Sequence, residues 1–585
     1  MTHASRISRI LAAAALLGAA APLAAQAAPD ELDTFVLAQM AQRRIPGLSL
    51  AILRNGKIDA RAYGVTDLGG TQRVTTTTLF QAGSISKSVA ALGALHLVEQ
   101  QKLNLDMQVN ASLTTWKLPP SEFTATKPVT LRGLLSHTAG LTVHGFPGYD
   151  VSAPMPTLVQ VLDGTAPANT DAIRSDAVPG ARWNYSGGGY TIMQQMMIDV
   201  THQSFPDFMQ RAVLAPLGMS NSSYAQPLPA AMASATAAGH YPGGRLVKGR
   251  WHLYPEMAAA GLWTTPTDLL RFATEIQQSN AGKSNTVISQ SMTREMLTEQ
   301  KDMDGLGVFL EDSGSALRFG HNGRDDGFDA LLTATVVGGH GAAIMINAND
   351  NSAMAPRIRS FIARMNHWPN STPYVRPAAV TVAAPELDAA VGRYEMSNNN
   401  MVAFVVDQGR LFRSSDGLPD EEFVPLGDNT FASLDRPAQM TLARDATGTV
   451  TGFAWTTRGV TRTVPRVGPL FSNLVSTPDA NPILTARAES VVRALGKGGD
   501  AVASVAGITD AARRDFGHRA WPPAGDVRRL SYITEENVAA RNMERHDGRV
   551  ARIRYYRMTT GEGELKLMVH FTSEGLVTDV DVVDE

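Results

Sequence analysis

A helix that is apolar on every face can only be buried. This chain carries one in Ser88-Val89-Ala90-Ala91-Leu92-Gly93-Ala94-Leu95-His96-Leu97-Val98, which leaves almost no polar side chain to face water. Whatever fold contains it must place other elements around it, and that demands a large core. At 585 residues the chain is long enough for two to four domains. The segment Phe80-Gln81-Ala82-Gly83-Ser84-Ile85-Ser86-Lys87 opens that helix. Residues i and i+3 share a helix face, so Ser84 Oγ and Lys87 Nζ come within hydrogen-bond reach. The helix N-terminus points free N–H groups and the positive end of its dipole at anything bound there. An amine in such an apolar, electropositive place should lose basicity, and a neutral lysine can take the serine proton. Alone, Ser-x-x-Lys is a weak signal, because a serine can equally cap a helix beside a solvated lysine.

The hydrophobic share of 44% and charged share of 18% are those of an ordinary globular protein. A formal net charge of -3 gives no reason to expect nucleic acid or an anionic membrane as partner. With no cysteine in the chain, disulfides, thiolate nucleophiles and cysteine-ligated metals are excluded. Arg6 and Arg9, the apolar run Ile10 to Ala25 and the small residues of Ala25-Gln26-Ala27 read as a cleavable export signal over residues 1–27. That predicts a periplasmic or secreted protein. No later segment is apolar enough to span a bilayer.

Leu48 to Leu53 and Lys57 to Gly64 read as strands joined by an Asn55-Gly56 hairpin turn. After the Ser84 helix, Thr130-Leu131-Arg132-Gly133-Leu134-Leu135-Ser136-His137-Thr138-Ala139-Gly140-Leu141 reads as a short capped helix ending in a glycine turn. Here the sequence resembles the penicillin-recognising serine hydrolases of the class C β-lactamase type, which include D-aminopeptidases, DD-peptidases and esterases. In that family the segment from Leu134 to Leu141 is structural, so His137 is a turn residue rather than a catalyst.

The resemblance implies further site residues. Tyr185, in Trp183-Asn184-Tyr185-Ser186-Gly187-Gly188-Gly189-Tyr190, matches the tyrosine of the family's Tyr-x-Asn motif. Near Lys87 its phenol would be biased toward phenolate and could shuttle a proton to the leaving group. Gly187 stands where the family has asparagine, which removes an amide that could hold Lys87 or a substrate carbonyl. His321-Asn322-Gly323 fits the family's His-x-Gly on an edge strand facing the serine, where Gly323 lets a substrate backbone lie close. By the same analogy the N–H groups of Ser84 and Arg324 form the oxyanion hole. Histidine in place of lysine at 321 removes a charge that helps bind the carboxylate of β-lactams. Arg324 is the candidate replacement, although nothing in the sequence orients it. Pro216 to Met219 and Ala260 to Leu269 match structural signatures, with Thr267 or Asp268 expected to cap a helix through Phe272 and Ile276.

The resemblance covers roughly Leu32 to Met365 and implies a β-lactamase/transpeptidase-like α/β (α+β) hydrolase domain over residues 28–366. Prolines at 369, 373, 377 and 385 mark an extended linker at 367–384. Short alternating runs, including Met401 to Val406, Arg410 to Arg413, Glu422 to Leu426, Gln439 to Ala443 and Gly452 to Thr457, predict a small antiparallel, lipocalin-like β-barrel over 385–468. Residues 469–585 read as an α+β domain. Its helices are expected over Pro482 to Leu495 and Ala501 to Arg513, and its strands at Val527 to Ile533, Val538 to His546, Val550 to Met558, Glu564 to Phe571 and Leu576 to Val582. Asp515, His518 and His546 read as surface groups there.

No metal or nucleotide motif is found: there is no His-Glu-x-x-His, and Gly187-Gly188-Gly189 lacks the lysine of a phosphate loop. No cofactor or metal is expected. The partners expected are a small-molecule or peptide substrate and, through the C-terminal domains, a second copy of the chain. The reading is an exported serine hydrolase that forms an acyl-enzyme, either an esterase or a D-amino-acid-specific peptidase. The alternatives are a β-lactamase or DD-carboxypeptidase, or a non-catalytic binder of peptidoglycan or lipid.

Overall fold

A computed structural model of the chain describes residues 29–350, 352–371, 377–397, 400–415, 418–457, 459–497, 499–518, 527–541, 543–546, 548–560 and 564–583. The export signal expected at 1–27 and part of the linker, 372–376, lie outside these residues. Among the described residues no helix is long and apolar enough to cross a membrane.

The first half is built on a six-stranded antiparallel sheet with helices on both faces. Helix α1 (Glu31–Arg43) is followed by strands β1 (Gly47–Arg54) and β2 (Lys57–Gly64), helix α2 (Ile85–Glu99) and helix α3 (Leu131–Leu135). Helices α4 (Gly187–Thr201) and α5 (Pro266–Asn280) come next. Strands β3 (Phe309–Glu311), β4 (Arg318–Asp325), β5 (Phe328–Thr335) and β6 (His340–Ile346) and helix α6 (Met354–Met365) complete the unit. The strand order is β2-β1-β6-β5-β4-β3. The β1–β2 hairpin turns at Asn55 and Gly56, both at positive φ (49° and 79°), as the Asn-Gly pair dictates.

On one face, Leu32 and Val36 of α1 and Ile358 and Ile362 of α6 pack on Leu48, Leu50 and Ile344. The other face meets α2 and α5 in the main core, which holds Val89, Leu92 and Leu95 with Leu269 and Phe272. From Ile85 to Leu95 every residue of α2 is buried, as its all-round apolar sequence requires. Helix α5 is capped by Thr265, whose hydroxyl accepts from Asp268 N, and not by Thr267 or Asp268. Pro266 occupies the first helical position, where its missing N–H costs nothing, which sets the cap one residue before it.

A closed eight-stranded antiparallel barrel follows, its strands adjacent in chain order from Gly392–Ser397 to Val460–Gly468. Aromatic side chains fill it: Tyr394 lies tilted against Phe453 with centroids 4.7 Å apart, and Phe404 meets Phe423 edge-on at 5.3 Å. The last unit packs helix α7 (Pro482–Leu495) and two short helices against a four-stranded sheet. Its strands are β7 (Arg529–Asn537), β8 (Arg552–Thr559), β9 (Glu564–Phe571) and β10 (Val577–Val583). Two expectations fail here. The helix foreseen from Ala501 to Arg513 is two, Gly499–Ser504 and Asp510–His518, divided near Gly507, whose φ of 83° no helix accommodates. The strand foreseen from Val538 to His546 is a single turn at Ala539–Arg541 and a two-residue strand, Glu544–Arg545, paired with Gly548–Arg549.

Candidate active site

The site lies where the start of α2 meets β4. Strand β3 pairs only with Arg318 to Gly320, so it leaves the His321-to-Asp325 half of β4 without a strand partner on that side. In this half the side chains alternate: His321, Gly323 and Asp325 are buried, Asn322 and Arg324 exposed. The missing side chain at 323 is a steric necessity, since a Cβ there would lie 1.8 Å from the carbonyl oxygen of Ala82. Gly83, at φ 51°, has its own Cβ position 2.4 Å from Arg324 N. The two glycines press the backbone just before Ser84 onto β4 and bring the Ser84 and Arg324 amides into one neighbourhood.

Ser84 is the first residue of the α2 turn, and its hydroxyl caps no backbone amide. Instead it accepts a 2.9 Å hydrogen bond from Lys87 Nζ, which also donates to Ala259 O at 2.8 Å. Lys87 is 2% exposed. Burial lowers its pKa to about 7 against the smaller opposing pull of Asp325. Its amine lies 5.0 Å from the ring centroid of Tyr185.

Tyr185 is held by contact with His137, whose ring centroid is 4.2 Å away. His137 itself sits at φ 55°, accepts from Ser186 N through Nδ1 and is kept neutral by burial. The phenolate bias expected for Tyr185 is overturned, because burial raises its pKa and outweighs the opposing contact with Ser84. Tyr185 is therefore a neutral phenol. Its hydroxyl is buried with no aligned hydrogen bond among the described residues, and the same is true of His321 Nε2. His321 stacks on Phe309 at 4.4 Å and places Nδ1 on the carbonyl of Asn322. Burial, helped by the charge on Lys87, lowers its pKa to about 3, so it is a neutral imidazole. The Tyr185 hydroxyl beside Ser84 and His321 Nε2 thus face one cleft, where a ligand or water can complete their bonding.

That cleft, about 370 Å³, is lined by Ser84, Tyr185, His321, Gly323 and Arg324 together with Phe309, Leu331 and Ile346. Arg324 is oriented after all: its guanidinium forms a two-pronged pair with Asp329 (2.8 and 2.7 Å) and donates to Asp350 O. No asparagine fits at Gly187. A Cβ there would stand 2.9 Å from the Phe146 ring and 3.1 Å from His144 O.

Three buried acids were not foreseen. Asp325 lies beneath the serine turn and accepts from the Gly83 backbone, and burial raises its pKa against the opposing charge of Lys87. Glu256 is fully buried with both oxygens unpartnered and its pKa raised by burial to about 8. Asp304, at about 7 for the same reason, accepts from Trp183 Nε1 at 2.9 Å. Asp325 could have been found from strand alternation with His321 and Gly323. Glu256 and Asp304 carry no such signal.

Comparison with known proteins gives the same grouping. The Beta-lactamase family matches residues 32–365, more than half of the chain. The chain belongs to that family. Members of the Beta-lactamase family are typically serine hydrolases acting on amides, esters or β-lactams. Penicillin-binding protein 4 of Amycolatopsis lactamdurans is 26% identical over 323 residues, 52% of this chain and 82% of that protein. Protein flp of Staphylococcus aureus is 26% identical over 201 residues, and the chain spans only 38% of its length. The octameric penicillin-binding protein homologue from Pyrococcus abyssi superposes with a TM-score of 0.52 at 20% identity, over 74% of this chain and 99% of that one, a likeness of fold.

Proposed function

We propose that the chain is a serine hydrolase that opens esters or amides through a covalent acyl-enzyme, with a carboxylic ester of an uncharged acyl group as the preferred substrate. The observation that carries this is the 2.9 Å bond between Ser84 Oγ and a lysine whose pKa burial has brought to about 7. Lys87 in its neutral form takes the Ser84 proton as Oγ attacks the carbonyl carbon. The developing oxyanion is met by the backbone N–H groups of Ser84 and Arg324. The carbonyl–oxygen bond then breaks, and the leaving alkoxide takes a proton from Tyr185, which is reprotonated from Lys87. Water, deprotonated in the same way, attacks the ester of Ser84 and releases the acid.

Selectivity follows from charge. The cleft wall of Phe309, Ala330, Leu331 and Ile346 is apolar, and its carboxylates are engaged: Asp329 with Arg324 and Asp350 with Arg43. A neutral His321 supplies no cation for the carboxylate of a β-lactam. A D-aminoacyl amide is the second substrate class, favoured by the half-exposed Arg324–Asp329 pair at the rim, which offers both signs of charge. The export and periplasmic placement belong to this proposal.

The test is the initial rate of hydrolysis of a short-chain nitrophenyl ester, a D-alanyl nitroanilide and a chromogenic cephalosporin by wild type and Ser84→Ala. Ester turnover abolished by the substitution is expected. Anilide turnover would move the assignment to a D-aminopeptidase, and fast cephalosporin turnover to a β-lactamase. Equal rates in the two proteins would end the serine mechanism.

A further inference from the structure

The C-terminal sheet has a helix-covered face and a second face turned toward the small hairpin of Glu544–Arg545 and Gly548–Arg549. On the second face His570 of β9 is directly opposite Asp579 of β10, and Asp581 stands two residues further along the same side of β10. Donor atoms of these three side chains all fall within 4.8 Å of one another, the one such cluster of three among the described residues. His570 Nδ1 lies 3.8 Å from Asp581 Oδ2. From the hairpin, His546 Nε2 reaches within 3.5 Å of Asp579 Oδ1, while Arg545 Nε sits 3.5 Å from the other oxygen of that carboxylate. His546, expected at the surface, is only 25% exposed at its side chain. The side chains of Asp515 and His518, grouped with it in the sequence, lie outside the described residues.

What points to a ligand is His570. Its side chain is 0% exposed, and neither ring nitrogen has an aligned hydrogen bond to the protein. A fully buried imidazole with both nitrogens unsatisfied is rare, because each loses its water without compensation. The Asp579 backbone lies close to the ring as well, which suits the usual arrangement in which a ligating histidine turns its second nitrogen to a main-chain carbonyl.

We propose that His570, Asp579 and Asp581 bind one divalent cation of the zinc class on this face of the sheet. The donor set of imidazoles and carboxylates without sulfur suits Zn(II), which bonds nitrogen and carboxylate oxygen at ~2.0–2.2 Å in a tetrahedron. Observed separations of 3.5 and 3.8 Å between donor pairs are close to what such a tetrahedron spans. Arg545 lies on Asp579 Oδ2, and Oδ1 accepts from Val580 N at 2.8 Å, which holds the carboxylate in place. Three protein ligands leave one tetrahedral position for water or for His546, whose Nε2 lies 3.5 Å from Asp579 Oδ1.

The experiment uses the full chain, stripped with chelator and dialysed against Zn(II), or against Co(II) as a spectroscopic probe. Metal per chain is counted by elemental mass spectrometry and Tm is measured with and without EDTA. One Zn(II) per chain, a visible Co(II) spectrum of tetrahedral type and a Tm lowered by EDTA are expected. Asp581→Asn and His570→Gln should each weaken retention at least ~10-fold and make Tm indifferent to EDTA. Because His570 is buried and its variant could fail to fold, Asp581→Asn, at a side chain 28% exposed, serves as the decisive variant. Failure of wild type to retain Zn(II), or equal retention by Asp581→Asn, would overturn the proposal.

Discussion

A buried lysine is costly as an ammonium, and Lys87 has no carboxylate bonded to it, only a hydroxyl and a carbonyl. Its ordinary value is 10.5 and its value in the fold about 7. Between these two pH values the unfolded chain holds a proton that the folded chain has released, so stability rises with pH across this window. Below it both states are protonated and the full penalty of the buried charge remains, up to ~5 kcal/mol at 1.36 kcal/mol per pH unit. Lys87→Met removes that penalty together with the base. The variant is expected to have a higher Tm than wild type at acid pH, an advantage that shrinks as pH rises toward 10.5, and no hydrolytic activity. Calorimetry from acid to alkaline pH checks the first part, and a pH-independent Tm difference would contradict it. In the wild type kcat/KM should fall about tenfold per pH unit below a midpoint near 7. An acid limb placed near 10 would show that Lys87 keeps its ordinary basicity.

At the scale of elements, two glycines set the distance between the serine turn and β4. Gly323→Ala would drive a methyl group into Ala82 O, 1.8 Å away, and neither backbone can yield while β4 stays paired to β5 along its length. The strand must lift at 323, moving Arg324 N away from the oxyanion. A displacement of that order lowers kcat by ~100-fold, and the change should appear in kcat more than in KM because the oxyanion forms only in the transition state. Steady-state kinetics on the nitrophenyl ester test this, and an unaltered kcat would remove Arg324 N from the mechanism. Thr265→Ala, by contrast, should cost ~1 kcal/mol of stability through the lost cap of α5 and leave KM unchanged; urea unfolding measures it.

The same elements show what a sequence discloses. The Asn55-Gly56 hairpin and the buried α2 helix were legible because each follows from local stereochemistry or a strict period. So was the pairing of Ser84 with Lys87, which needs only one helix turn. The protonation state of Tyr185 was not legible, since it depends on burial by His137 and Phe309, far away in sequence. Nor were Glu256 and Asp304, whose burial is a property of the assembled fold. The break at Gly507 was misread because a lone glycine is tolerated in many helices.

For the whole molecule the question is what joins the barrel to the hydrolase unit. Arg43 at the end of α1 bonds Asp350 of the cleft wall at 3.0 Å and reaches across to the carbonyls of Ser415 and Leu418 on the barrel. Arg357 of α6 and Arg413 of the barrel converge on Asp420, whose carboxylate is 0% exposed. Burial would raise the Asp420 pKa, but the two guanidiniums outweigh it and hold it below 3.8. By linkage its contribution is fully present above the unfolded value of 3.8 and is lost as pH falls through the lower folded value. Asp420→Ala takes the buried carboxylate from both Arg357 and Arg413 and leaves Arg357 only its longer pair with Asp435 at 3.5 Å, a defect of up to ~3–5 kcal/mol. Because Arg43 ties this junction to Asp350, the hydrolase unit should lose stability along with the barrel. Urea unfolding of the variant, followed in parallel by tryptophan fluorescence and by ester hydrolysis, is therefore expected to show both transitions shifted together at neutral pH. The difference from wild type should narrow in acid as Asp420 protonates. A loss within the ~0–1 kcal/mol of an exposed ion pair would mean that water reaches the junction and the two units are held by other contacts. A shift in fluorescence without one in activity would mean that the barrel unfolds on its own and that the cleft does not depend on it.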